Sequence, residues 1–300
     1  MNHDPFDQDE YAKMNPHENQ PPRTSYANQF QATALEEDAV DYDYEQTGPA
    51  APKAEAPASE TGQFSWENNV RRFPEDQLPS LSRSSIRLME KNIRELLLVE
   101  GNLSAIKEDA RFIYVTSCSD QEGKTISAVS TAFALATYAG KNVLLIDGHL
   151  KAPRIHNLFG TTVGPGFTEY CTGKIGLEEI ILPTHHRGIS IITSGEEEDF
   201  FQSLPPDLLT QKLDALRRAG DFDFVIFDGY SVMSSSQVSR AGRCFDIILL
   251  VVECEKTRLP MMETAEEKIR NNGGAAIGVV INRRKYHIPQ TVYRLLSKKR

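Results

Sequence analysis

Residues 111–140 read RFIYVTSCSDQEGKTISAVSTAFALATYAG, and this stretch decides the fold. The run RFIYVT (111–116) predicts a strand. A polar loop follows, and then a long helical pattern. Strand, loop and helix in that order is the context a phosphate-binding loop requires. Backbone N–H groups of such a loop and of the first helical turn point at phosphate oxygens, and the helix dipole adds attraction. Cys118, Ser119, Asp120, Gln121, Glu122, Gly123, Lys124 and Thr125 are therefore the candidate nucleotide-binding residues. Gly123 admits close backbone approach, Lys124 supplies a point charge to the β and γ phosphates, and Thr125 offers a hydroxyl to Mg²⁺. The motif GxxxxGK[ST] is incomplete, because Cys118 stands where its first glycine belongs. A chance Gly-Lys-Thr in an ordinary loop is the competing reading, and Cys118 reads as a small turn residue rather than a reactive thiol.

Downstream, further apolar runs predict strands at 142–147, 189–193, 223–228, 246–252 and 276–281. They are apolar almost throughout, as strands covered on both faces must be. Helical patterns fall near 125–139, 206–219, 234–242, 259–271 and 289–298. The alternation predicts a three-layer α/β fold: a mainly parallel sheet with helices on both faces, of the P-loop NTPase type. Ligands of such sheets sit at the carboxyl ends of the strands. Two of the predicted strands end there in an acid, Asp147 and Asp228. Asp228 is placed to bind Mg²⁺ directly or through water, and Asp147 to orient a metal water or to accept a hydroxyl proton. Either aspartate could instead cap the next helix. Lys124, Asp147 and Asp228 are the candidate catalytic residues, and Thr125, Asp147 and Asp228 the candidate metal ligands.

The chain has 300 residues and a net charge of −9. Residues 1–60 hold thirteen Asp and Glu against Lys13, Arg23 and Lys53, so the acidity lies in this segment and the remainder is close to neutral. Rich in Pro, Gln, Asn and Ala, residues 1–78 are expected to be disordered, with the nucleotide-binding domain over 79–300. A near-neutral domain argues against nucleic-acid binding. The residues around Asn2, His3 and Asp4 lack a basic, then apolar, secretory pattern. The four cysteines, Cys118, Cys171, Cys244 and Cys254, show no zinc-like spacing. A cytoplasmic protein is the expectation, with reduced thiols. Residues 83–99 predict one amphipathic helix burying Ile86, Met89, Ile93, Leu96 and Leu97. The basic C-terminal stretch (283–300), with Val292, Leu295 and Leu296, could meet anionic lipid, a partner or the acidic N-terminal segment.

These motifs together resemble the bacterial tyrosine kinases of capsule and exopolysaccharide synthesis, relatives of the MinD and ParA ATPases. VTSCSDQEGKT is similar to that family's TSxxPGEGKS loop. VLLIDGHLKAPRIHNLFG resembles its second acidic signature, and FDFVIFDGYSV its Walker B strand. FDIILLVV, IGVVINR, GFTEYCTG and LPPDLL match smaller landmarks in the same order. The resemblance implies ATP and Mg²⁺ as cofactors, tyrosine phosphorylation on neighbouring copies, and an inner-membrane polysaccharide co-polymerase as partner. It implies a location at the inner face of the plasma membrane, reached through that partner or the basic C-terminal helix. It implies adenine contact for Asn282.

The chain also departs from the family. Asp120 and Gln121 replace Pro-Gly. A unit charge at ~6 Å from a phosphate in an effective ε of ~20 repels it by about 3 kcal/mol, unless Asp120 turns away or finds a cation. His149 and Lys151 replace an acid and an arginine. Gly229, Tyr230 and Ser231 replace the residues after Walker B. Of the ExxRxxR helix that joins subunits, Ser84, Arg87 and Glu90 keep only the arginine, which weakens the expectation of self-association into a ring. The C-terminal tyrosine cluster shrinks to Tyr286 and Tyr293, while Tyr42 and Tyr44 lie in the acidic segment. MinD and ParA relatives carry a second lysine early in the loop, and Cys118 and Ser119 lack it. An active kinase, a degenerate ATP-binding scaffold of the same pathway, and a MinD-like positioning ATPase are the three readings.

Overall fold

The computed structural model describes residues 32–35, 74–196, 206–219, 222–235, 238, 243–271 and 275–284. In chain order the elements are β1 (Ala32–Leu35), a single 3₁₀ turn (Glu75–Gln77), α1 (Arg83–Lys91), α2 (Ile93–Leu96), α3 (Val99–Ile106) and β2 (Phe112–Ser117). Next come α4 (Lys124–Thr137), β3 (Val143–Asp147), α5 (Ile155–Leu158), α6 (Phe167–Thr172), α7 (Leu177–Ile180), β4 (Leu182–Pro183) and β5 (Ile189–Ile192). The remainder are α8 (Pro206–Ala219), β6 (Phe224–Asp228), β7 (Ile247–Glu253), α9 (Leu259–Arg270) and β8 (Ala276–Asn282).

One sheet gathers these strands in the order β1-β8-β7-β2-β6-β3-β5-β4. Every neighbouring pair is parallel except β4 against β5. The fold is the mainly parallel, helix-covered sheet that the alternation predicts. All residues of β2, β3, β5 and β6 are buried, which accounts for their unbroken apolar sequences. Helix α4 lies against β2, β3 and β6 and is buried along most of its length. Its small Ala128, Ala132 and Ala134 bring the helix backbone close to the sheet. At the amino end of the sheet, Asp246 accepts from the N–H groups of Arg111 and Phe112 at 3.0 and 2.9 Å and pairs with Lys107 at 2.9 Å. Burial acts to raise its pKa, but the Lys107 ammonium and the two N–H groups outweigh that and hold it down to about 2.

Within residues 1–78, where composition gives disorder, Ala32–Leu35 pairs in parallel with Val279–Asn282 at the sheet edge. Adding an edge strand needs only backbone partners, so a segment poor in apolar residues can do it. The single helix expected over 83–99 is corrected to three short ones. Asn92 is buried with its Nδ2 donating to the Leu88 carbonyl at 3.0 Å, and the helix is interrupted there while the buried stripe runs on through Met89, Asn92, Leu96 and Val99. Met89 and Leu96 are buried as expected, whereas Ile93 and Leu97 are exposed. Ser82 caps α1 by accepting from the Ser85 N–H at 3.1 Å. The expected helix at 289–298 lies outside the described residues, and so does that at 234–242 apart from 234, 235 and 238. Tyr42, Tyr44, Tyr286 and Tyr293 lie outside them as well. Among the described residues, no helix is long and apolar enough to cross a membrane.

Met89 is the side chain by which α1 joins the main core, at 1 % exposure. Met89→Ala should destabilise the chain by about 2–4 kcal/mol in urea unfolding, with an unchanged slope if the transition stays cooperative.

Candidate functional site

The loop between β2 and α4 is shaped by two left-handed residues, Gln121 (φ 67°) and Gly123 (φ 89°). Such a curl can gather backbone N–H groups around an anion. Gly123 is obligatory for a second reason. A Cβ there would lie 1.9 Å from Asn282 Nδ2. That amide nitrogen donates to the Glu122 carbonyl at 3.1 Å, and Asn282 Oδ1 accepts from the Arg283 N–H at 2.8 Å. Asn282 is fully buried, so its side chain clasps the loop from the end of β8. Glu122, 2 % exposed, completes the clasp. It accepts from the Ser119 N–H at 2.8 Å and from Thr257 Oγ1 at 2.5 Å. Ser119 Oγ donates to Met261 Sδ at 3.3 Å, and the guanidinium of Arg283 donates to the Gln121 carbonyl at 3.2 Å. Cys118 is buried, and burial, helped by Glu122, pushes its thiol up to about 12, so it serves as a packing residue.

Strand β6 lies between β2 and β3, and Asp228 is in register with Asp147 on β3. Both carboxylates are fully buried. Their partners differ. Asp147 Oδ2 accepts from the N–H groups of Arg154 and Ile155, both at 2.9 Å, and Oδ1 accepts from His149 N–H at 3.3 Å. It therefore caps the start of α5, the alternative its sequence context left open. Both Asp228 oxygens are buried with no hydrogen-bond partner. Thr125 faces Asp228 closely enough to favour its ionised form without meeting full hydrogen-bond geometry. Burial raises the pKa of both acids. The Asp228 charge adds to the rise at Asp147, and Thr125, Lys124 and Arg154 oppose it at Asp228. Two such acids on adjacent strands titrate as a pair.

An ionised carboxylate without a donor is costly to bury, and a cation beside it removes the cost. Asp228 next to the Thr125 hydroxyl is a hard oxygen pair of the kind Mg²⁺ takes, directly or through its waters. The residues fit a magnesium-loaded triphosphate. Lys124, 8 % exposed, is aimed into the same space, with its Nζ 3.5 Å from Asp120 Oδ1. Asp120 does find a cation in the free chain, the same ammonium that a triphosphate would need. Its oxygens also accept from Ser231 and Ser234, both at 2.7 Å. Burial acts to raise the Asp120 pKa, but the two serines and Lys124 outweigh it and lower it. His149 lies against the Tyr230 ring at 4.8 Å and its Nδ1 donates to the Ala152 carbonyl at 3.0 Å. Burial first, and then Lys124, lower its pKa and favour the neutral imidazole.

The structure thus brings Lys124, Thr125 and Asp228 to one end of the sheet, with Asp147 beside them. It places Asn282 behind the loop. Sequence reasoning missed Ser231, Ser234 and Thr257, whose partners lie more than a hundred residues away. Hydrogen bonds from Gly229 N–H to the Val115 carbonyl (2.9 Å) and Val232 N–H to the Ser117 carbonyl (2.8 Å) fix the turn after β6.

A parallel sheet with a phosphate loop at the start of its central helix and an orphaned acid on the neighbouring strand defines a P-loop nucleoside triphosphatase (NTPase) fold. No family model matches the chain. It is similar to the tyrosine-protein kinase YwqD of Bacillus subtilis, 25 % identical over 209 residues, spanning 69 % of this chain and 83 % of YwqD. The VpsO kinase domain superposes with a TM-score of 0.58 at 26 % identity, over 68 % of this chain and 100 % of that domain. MinD in the MinC:MinD complex of Aquifex aeolicus shares the fold alone, with a TM-score of 0.50 at 18 % identity, over 63 % of this chain and 73 % of that one. The curated relatives are bacterial tyrosine kinases, and the structural neighbours are their kinase domains and P-loop ATPases of the MinD and ParA kind. The chain is similar in sequence to the tyrosine kinases and shares with the MinD-type ATPases the fold alone.

The raised acids give a signed prediction. The folded chain holds protons that the unfolded chain releases, so their contribution to stability falls as pH rises from the ordinary carboxylate range towards neutrality. Asp228→Asn should raise stability at pH 8 by roughly 1–3 kcal/mol without metal, and flatten the decline between pH 5 and pH 8 seen in thermal melts.

Proposed function

We propose that this chain binds Mg-ATP and transfers the γ-phosphoryl group to tyrosine hydroxyls, as a regulator of capsular or exopolysaccharide synthesis. The observation that carries the reading is the orphaned Asp228 carboxylate beside Thr125 and Lys124. Lys124 binds β- and γ-phosphate oxygens and stabilises the charge that builds on them during transfer. Thr125 and Asp228 would hold Mg²⁺, Asp228 directly or through water, and the ion would supply positive charge that offsets that of the phosphates. Asp147 is kept in place by three backbone N–H groups and accepts the tyrosine proton or orients a metal-bound water. Asn282 fixes the loop, and a contact between it and adenine follows from the likeness to the kinases alone.

The relatives' names support the pathway, because CpsD and the Klebsiella pneumoniae kinase of the cps region are among them. A membrane polysaccharide co-polymerase as activating partner, a place at the inner face of the plasma membrane and contact between copies follow from the same likeness. A second reading, an ATP-binding scaffold without transfer, is favoured by one observation: Lys124 is already paired with Asp120.

Incubating the full chain with γ-labelled ATP and Mg²⁺ decides between them. The kinase reading predicts label on tyrosine, reduced at least a hundredfold in Lys124→Met. Nucleotide binding without labelled protein would support the scaffold instead, and phosphate released without labelled protein the positioning ATPase.

A further inference from the structure

Asp120 is an acid in the middle of a loop built to receive an anion. Its carboxylate is not free to swing away. Ser231 and Ser234 each hold one of its oxygens at 2.7 Å, and Ser231 Oγ also meets Ser234 Oγ. Ser231 is fully buried, so this anchor is rigid at one point. The third contact is Lys124 Nζ at 3.5 Å, the ammonium that would meet the terminal phosphates. The two serines lie in the turn that follows Asp228 directly in the chain, so Asp120 stands on the side of the loop where the metal would lie. A residue at this position therefore ties the phosphate loop to the metal-holding strand and carries a negative charge into the gap.

We propose that Asp120 is a specificity-determining residue: a built-in anion on Lys124 that makes the loop select metal-loaded over metal-free nucleoside triphosphate. The inference rests on the nucleotide reading given above. A metal-free triphosphate arrives with its full negative charge, must displace Asp120 from Lys124 and then lies beside a fixed carboxylate. The magnesium complex arrives with part of that charge neutralised. Its metal-bound waters can donate to Asp120, so the same carboxylate that repels the bare ligand accepts from the loaded one. Asp120 is 57 % exposed, so solvent screens the repulsion. The expected discrimination is on the order of tenfold rather than hundredfold.

Asp120→Asn keeps the shape and can still bond both serines, but it removes the charge. Ser234→Ala, at an exposed position, loosens the carboxylate while leaving the charge in place. Calorimetry of the full chain with ATP at fixed ionic strength, once with excess MgCl₂ and once with EDTA, reads the effect. Asp120→Asn should strengthen metal-free ATP binding on the order of tenfold and Mg-ATP binding by less than about threefold, shrinking the preference for metal. Ser234→Ala should shift the ratio in the same direction by less. If the unmodified chain binds Mg-ATP and both variants keep its metal preference, the selectivity role of Asp120 is wrong while the nucleotide site stands. If the unmodified chain and both variants bind neither form, the nucleotide reading fails and takes this inference with it.

Discussion

The site depends on one asymmetry between two buried acids. Parallel pairing of β3 with β6 sets Asp147 and Asp228 side by side at the carboxyl edge of the sheet, both without solvent exposure. Asp147 is supplied with three backbone N–H donors, whereas Asp228 has no hydrogen-bond partner. A fold keeps an unsatisfied carboxylate in its interior when something outside the chain completes it. In the proposed reading the completing group is a magnesium ion beside the Thr125 hydroxyl and the Lys124 ammonium that start α4. That requirement ties the metal, the phosphates and the fold into one argument.

The rest of the domain serves to hold this edge still. Fully buried strands fix the positions of the acids to within the packing tolerance of the core. The phosphate loop cannot be stiffened in the same way, because it must present its backbone. It is clamped from outside instead, by Asn282 on the Glu122 carbonyl, by Thr257 on the Glu122 carboxylate and by Arg283 on the Gln121 carbonyl. The turn after β6 is laced to β2 through Val115 and Ser117. These are long-range contacts, so the stability of the site is a property of the whole sheet.

That division explains what was legible in the sequence. Buried parallel strands write themselves as apolar runs, so the six longer strands from β2 onward are readable, as is the loop that follows the first of them. The edge strand β1 is not, since its pairing uses backbone groups that no composition reveals. The break at Asn92 is also silent, because one buried amide interrupts the helix while the helical spacing of the apolar residues continues across it. Asp147 and Asp228 close their strands in the same way, and nothing local says that one caps a helix while the other is left bare. The sequence left open whether Asp120 repels a phosphate, turns away or finds a cation, because its two serine partners are distant in the chain and carry no motif.

The most direct test is a crystal structure of the chain with Mg²⁺ and a non-hydrolysable ATP analogue. The account predicts triphosphate oxygens on the Lys124 ammonium and the loop N–H groups. It also predicts a metal about 2.1 Å from the Thr125 hydroxyl, with Asp228 as a ligand or one water away. Nucleotide seated elsewhere on the chain, or a metal that leaves Asp228 without a partner, would contradict it.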